Sequence, residues 1–382
     1  MKIALIAPGL ISVPPQGWGA VETLVYDYSL ELQRQGCDVL IVNQQSADEV
    51  IEKVNSYNPH FVHCHADNHI GIMTRINCKN RAFTSHFGYL ETPHLFPKYI
   101  ASTHSFAVSQ EHLYLFCLSP SIAQMYLRDG VDPRRIRITP NGVNTGLFKY
   151  DPAPTKPHKS VCLAQVSVRK RQSLAQRARA DIDFVGGIGS YSKAYRAGFN
   201  PTTESYLGEW AREDVYNELT HYGNLVLLSE AEAHPLVCLE ALSSGLGVVV
   251  SEASSANLDT ARSFITVVPE EKIKDLKYLR EKIVENRVQA VKSREEIIAY
   301  AKSFDYKNIV DRYRQIVDDI VSGTSKIQPM FSIEKSHFVP LASNSPQRKT
   351  RFRRAQGLTR RVVVFYWIVK SKLLGRGGKK SP

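Results

Sequence analysis

At 382 residues the chain exceeds what one ordinary hydrophobic core serves, so its length argues for two domains. With 43% hydrophobic and 23% charged residues it is composed like an ordinary globular enzyme. A net charge of +12 would suggest a nucleic-acid groove. However, twelve Lys and Arg and no acid fall between Pro346 and Pro382; without them the body holds 37 basic and 37 acidic residues, and the excess belongs to a tail.

Apolar strand-like runs alternate with amphipathic segments along the chain. Lys2–Ala7 reads as a first buried strand. Its apolar run stops at Pro8, too short and without the small-residue cleavage site of a signal peptide. A helix from about Val21 to Gln35 ends at Gly36, and Cys37–Asn43 is the next strand. Phe61–His65, Phe83–His86, Ser105–Ser109 and Leu113–Ser119 are further strands. The three prolines of Tyr150–His158 mark a domain boundary and open onto a strand at Ser160–Gln165. The second half repeats the pattern. Strands are expected at Ile182–Val185, Leu225–Ser229, Leu246–Ser251 and Phe264–Val268, and helices at Gln172–Ala180, Asp214–His221, Pro235–Ser244 and Ser293–Ser303. A last amphipathic helix covers Tyr306–Val321. This alternation argues for parallel sheets covered on both faces. No apolar stretch approaches the ~18 residues of a membrane span. The six cysteines (37, 64, 78, 117, 162 and 238) are scattered with no C-x-x-C, which reads as buried free thiols of a cytoplasmic protein.

The richest stretch is Ser229–Glu252, SEAEAHPLVCLEALSSGLGVVVSE. Asn224–Ser229 is a buried strand, Glu230–His234 the loop at its carboxyl end, and Pro235 a helix start, stopped at Gly245. Open α/β sheets bind ligands at such an end. The helix start at Pro235, Leu236 and Val237 turns backbone amides and the positive end of the dipole into the cleft, which suits a phosphate. Glu232 and Glu240 flank that start. Carboxylates beside a phosphate make electrostatic sense where they accept hydrogen bonds from neutral hydroxyls, as of a sugar. On this reading Glu240 holds a ribose and Glu232 a transferred sugar. The bland alternative is a capping acid and a solvated helix glutamate.

This stretch, EAHPLVCLEALSSGLGVVV, resembles the block E-G-F-P-L-V-x-L-E-A-x-A-x-G-x-P-V-V of the retaining glycosyltransferases of family 4, among the group 1 glycosyl transferases. Ala233, His234 and Gly247 are the departures. The resemblance implies the GT-B fold, two Rossmann-like doubly wound domains facing across a cleft. It also implies that Glu232 contacts the donor sugar and Glu240 the nucleotide ribose. Pro14–Glu22, PPQGWGAVE, resembles the family's P-x-x-G-G-x-E loop, in which Gly17, Gly19 and Ala20 let a backbone approach a phosphate. Ser119–Phe148 resembles its segment ending P-N-G-V-D-x-x-x-F, with Asn144 for Asp; Asn141 and Gly142 are read as ordering the hinge. Ala164–Gln172, AQVSVRKRQ, resembles G-R-x-x-x-x-K-G. Lys170 fits the lysine, Arg169 and Arg171 are its rivals, and Gln165 stands where the family has arginine, so it neutralises no phosphate. Pro59–Asp67 and Phe83–Gly88 resemble P-D-v-V-H-x-H and T-x-H-x. By resemblance His86 faces the donor sugar and the reacting bond, with His65 behind it. No carboxylate or cysteine shares a ligand pattern with His63 and His65, so no metal is expected. Tyr206–Trp210 resembles the segment near the nucleotide base.

The expected organisation is an acceptor-side domain over 1–150, a donor domain over 151–305, a helix over 306–322 crossing back to the first domain, and a basic tail over 323–382. The tail suits either an anionic membrane surface, through 346–382, or a disordered solubilising segment; no specific nucleic-acid partner is expected. The implied activity is retaining transfer of a hexose from a nucleoside diphosphate sugar, a substrate rather than a cofactor, to a glycan or lipid-linked acceptor. The implied catalytic residues are His86, Glu232 and Lys170, and the chain is placed in the cytoplasm or at a membrane face. A sugar-nucleotide epimerase and a non-catalytic relative are the alternatives. A nicotinamide dehydrogenase is disfavoured, because no G-x-G-x-x-G follows a strand with an acid ~20 residues on.

Overall fold

Strands β1 (Lys2–Ile6), β2 (Asp38–Val42), β3 (Phe61–Cys64), β4 (Arg81–Phe83), β5 (Leu113–Cys117) and β6 (Ile136–Ile138) form one parallel sheet in the order β2-β1-β3-β4-β5-β6. A second parallel sheet runs β11-β10-β9-β7-β8. It is built from β7 (Lys156–Leu163), β8 (Ile182–Val185), β9 (Tyr222–Leu227), β10 (Gly247–Ser251) and β11 (Ile265–Val268). The computed structural model describes residues 1–17, 19–188 and 198–325, all within one compact unit. The basic tail and its expected membrane-surface segment lie outside the described residues.

Central strands such as β9 and β10 are buried at every position, as parallel strands covered on both faces must be. The covering helices follow from periodicity and caps. Helix α1 (Ala20–Arg34) buries Leu24, Val25, Tyr28 and Leu32 at helical spacing. Helix α2 (Ala47–Tyr57) starts at Ser46, whose side chain accepts from the Glu49 amide, and buries Val50 and Val54. Helix α3 is Pro120–Arg128, α4 Gln172–Arg177, α5 Arg212–Glu218, α6 Leu236–Ser243, α7 Leu276–Lys292 and α8 Arg294–Ala301. Helix α9 (Tyr306–Ser322) lies on the first sheet's side, not the second's. Its Tyr306, Ile309, Val310, Tyr313, Val317 and Ile320 share a core with Tyr28 and Leu32 of α1 and Phe61 of β3. Each such apolar side chain contributes roughly 1.5–3 kcal/mol by burial, which ties the chain's later part to its start.

The structure corrects several expectations. Ser105–Ser109 is helical, not a strand. It continues from the helical turns Pro97–Tyr99 and Ile100–His104, and only Ala107 is buried. The strand expected at Phe83–His86 ends at Phe83; the Thr84 amide still reaches the Cys64 carbonyl, and His86 stands in the loop beyond. Helices α2 and α7 and strand β6 are additions. Val143 and Phe148 already belong to the second core, so the chain enters it ahead of Tyr150. All six cysteines are buried and free. Among the described residues no helix is long and apolar enough to cross a membrane.

Candidate donor and transfer site

The carboxyl ends of the two sheets face one another, and their loops meet. On the second sheet, the loop after β9 carries Glu232. Burial opposes its ionisation, but Lys170 and Arg169 beside it hold the carboxyl below the usual range. Lys170 Nζ forms a close ion pair with Glu232 Oε1, and Arg169 Nη1 lies 3.2 Å from the same oxygen. The 168–170 turn is fixed by local chemistry. Ser167 Oγ accepts from the Lys170 amide at 3.3 Å, and the Glu230 amide donates to the Arg169 carbonyl at 2.9 Å. The buried Gln172 side chain holds the strand end by accepting from the Ser167 amide and donating to the Gln165 carbonyl.

Arg171 does not join this group. Its backbone is left-handed (φ 55°), and its guanidinium turns to Glu270, at 2.6 and 2.9 Å, and to Glu230 at 3.3 Å. The expectation that it rivals Lys170 fails for that reason. Pro235 stands one residue before the helix rather than in its first turn. Leu236 and Val237 open α6, and no side chain caps that start. Glu240 lies in the second turn of α6, almost wholly buried, with Oε1 2.6 Å from Arg212 Nη1. Arg212 was not legible in the chain, because its partner lies 28 positions further along.

The first sheet contributes a ladder of neutral imidazoles. His86 Nε2 and His65 Nδ1 are 2.9 Å apart, the rings of His65 and His63 lie 3.9 Å apart, and His63 bonds Thr84 Oγ1 at 2.9 Å and Tyr313 Oη at 3.1 Å. Burial pushes His86 down to about 4 and His63 and His65 well below their usual value. The next residues touch the second half directly. A Cβ on Gly88 would fall 2.7–2.8 Å from the backbone of Glu232, so only glycine allows this approach. The Phe87 ring lies 4.4 Å from the Arg169 guanidinium carbon. His86 therefore stands in the loop that abuts Glu232. The contacts carried by Gly88 and Phe87 were not read from sequence; the glycine just after T-S-H-F was the available signal.

The glycine-containing loop after β1 also reaches the cleft. A Cβ on Gly17 would come 3.1 Å from Glu209 Oε1, and Glu209 lies in the Tyr206–Trp210 stretch. Gly19 takes φ 145° immediately before α1, and Ala20 is the first residue of that helix. A cavity of about 340 Å³ is lined by Ile11, Ser12, Pro15, Gln16, Gly17 and Glu209, at the lower end of ligand-pocket sizes. At the hinge, the Asn141 amide donates to His234 Nδ1 at 3.0 Å and its side chain to the His234 carbonyl at 2.8 Å. Gly142 is pressed against Tyr306 and Ile309, where a Cβ would sit 2.9–3.1 Å away. Among the described residues no group of three or more His, Cys, Asp or Glu is placed to hold a metal ion.

Two parallel sheets with facing carboxyl ends, joined at a hinge and closed by a helix that returns to the first sheet, define the GT-B fold. Solved structures agree. Sucrose-phosphate synthase from Thermosynechococcus elongatus superposes with a TM-score of 0.64 at 15% identity, over 84% of this chain and 99% of that one. Anabaena HepE in complex with UDP and glucose gives 0.63 at 14% identity, over 84% and 100%. The lipopolysaccharide outer core galactosyltransferase WaaB, in its apo form, gives 0.57 at 16%, over 85% and 100%. Residues 190–304 match the family described as glycosyl transferases group 1, so the second half carries that family's segment. No curated protein matches the chain.

Proposed function

We propose that the protein is a glycosyltransferase that moves a hexose from a nucleoside diphosphate sugar to a hydroxyl of a glycan or lipid-linked acceptor, with retention of configuration. The observation that carries this reading is the pairing of Glu232 with Lys170 and Arg169 beside the uncapped start of α6, against the Gly88 backbone. HepE, a structure of the same fold, is described in complex with UDP-glucose, which favours a donor of that class. The diphosphate lies over Leu236 and Val237, drawing Lys170 and Arg169 from Glu232 as it arrives. Glu232 then accepts hydroxyls of the sugar, and Glu240 those of the ribose. Lys170 and the helix start stabilise the negative charge of the departing diphosphate, the main electrostatic demand of such a transfer. His86, neutral at physiological pH, offers a ring nitrogen to the sugar without adding charge. With cations and a helix start to meet the phosphates, the reaction proceeds without a divalent metal.

The test is nucleotide release by purified protein from a panel of UDP-, GDP- and ADP-sugars, with and without EDTA, beside Glu240→Ala. Release of one nucleotide, insensitive to EDTA and strongly slowed at low donor concentration in the variant, supports the reading. No release and no donor-dependent thermal shift across the panel would sink it.

A further inference from the structure

Glu240 does not enter the cleft as a lone carboxylate. The guanidinium of Arg212, the first residue of α5, lies 2.6 Å from its Oε1, and both side chains are largely withdrawn from solvent. Arg212 is itself held on a frame of aromatic side chains. Its Nε donates to Tyr216 Oη at 3.1 Å, and its guanidinium carbon lies 4.8 Å from the Tyr216 ring and 5.9 Å from the Phe148 ring. Those two rings meet edge to face at 5.0 Å, which fixes the frame in turn. From the first half, Asp27 of α1 adds a second acid to the same neighbourhood. Burial pushes it up to about 6, Arg212 draws it down and Glu240 pushes it up again. Two carboxylates therefore share the field of one guanidinium.

We propose that Arg212 is the positioning residue of the ribose subsite, acting through Glu240 to hold that carboxylate turned toward the 2′- and 3′-hydroxyls of a nucleoside diphosphate. The inference rests on the donor reading above and extends it to a residue that touches no substrate. Without the guanidinium the Glu240 carboxylate loses the bonded partner that holds its oxygens in place, where the ribose needs an acceptor. The planar fork, stacked on Tyr216, also sets the carboxylate's orientation in a way a lysine ammonium reproduces only in part.

The experiment is calorimetric titration of UDP, GDP and ADP and their 2′-deoxy forms into wild type, Arg212→Gln, Arg212→Lys and Glu240→Gln. The wild type should prefer the ribonucleotide that it binds over the 2′-deoxy form by about 10-fold or more, the scale of one hydrogen bond to a charged group. In Arg212→Gln that preference should shrink, with the ribonucleotide weakened more than the 2′-deoxy form, which has only its 3′-hydroxyl contact to lose, as in Glu240→Gln. Arg212→Lys should fall between. Equal weakening of both forms in Arg212→Gln would make Arg212 merely structural and overturn the proposal. Should Arg212→Gln fail to fold, full discrimination and affinity in Arg212→Lys overturns it equally. A wild type that binds a nucleotide without discrimination refutes this inference alone, whereas one that binds none refutes the donor reading with it.

Discussion

The two walls of the cleft are built on opposite electrostatic plans. The second sheet's wall is charged and paired: Glu232 with Lys170 and Arg169, Glu240 with Arg212, Arg171 with Glu270. Opposite Glu232 the first sheet's wall is buried and neutral, with the imidazoles of His63, His65 and His86 kept uncharged by desolvation and meeting the other half through Gly88, while Asp27 of α1 brings an acid toward Arg212. A diphosphate needs the first plan, since its charge must be met and then stabilised as it departs. A sugar ring needs the second, because it brings hydroxyls and no charge. On the proposed reading the difference divides the labour: the second half would bind the nucleotide, and the first half would supply shape and neutral hydrogen-bonding groups.

The largest expected effect comes from breaking the charged wall. Lys170→Ala should lower nucleotide release by about two to three orders of magnitude, the scale seen when one transition-state charge partner is lost, as read by single-turnover kinetics. It also leaves Glu232 with Arg169 alone, so its melting temperature should fall, most clearly above the ordinary glutamate value of 4.5, where the carboxyl is ionised in folded and unfolded chain alike.

The neutral wall should break with acid. His86 of this wall and, in the loop after β9 on the other half, His234 are pushed down to about 4 and about 3 in the folded chain, from an ordinary value of 6.5. The unfolded chain thus binds more protons between these values, and stability present above about 6.5 is lost as the pH falls toward 4. Each group contributes at most about 3–5 kcal/mol to that loss. Melting curves from pH 7.5 to 4.5 should show the decline, and His86→Gln should flatten it.

Glu240→Ala should raise the donor KM by about 10–100-fold with a smaller change in kcat, because the ribose is held alike before and during transfer. Gly88→Ala should give the smallest effect, about 1–3 kcal/mol of stability and up to tenfold in turnover. The new methyl group meets the Glu232 backbone at 2.7–2.8 Å and forces the walls apart. An unaltered Gly88→Ala enzyme would mean that the walls do not need to touch.

Much of this was legible in the chain. Apart from the three-residue β6, the strands of both sheets announced themselves as apolar runs bounded by polar residues, and Glu232, Lys170 and Glu240 stood inside motif-like stretches at sheet ends. What escaped had physical reasons. The helical Ser105–Ser109 has a short run of three apolar residues that mimics a buried strand, although only Ala107 is buried. Helix α7 buries Asn286 and Arg287 beside Leu279 and Ile283, so its stripe is interrupted by polar residues whose partners lie on other elements. Arg212 reads as a surface arginine until folding brings it to Glu240. Arg171 sits in the expected basic triplet, yet a left-handed backbone turns it to the wrong acids. Pairings made by tertiary structure leave no local trace.

The most direct measurement is a crystal structure with the nucleoside diphosphate that binds most tightly among UDP, GDP and ADP. The account predicts phosphate oxygens at the amides of Leu236 and Val237 with Lys170 Nζ released from Glu232, and the ribose hydroxyls on Glu240 with Arg212 still behind it. A nucleotide bound elsewhere, or a ribose that leaves Glu240 untouched, would contradict it.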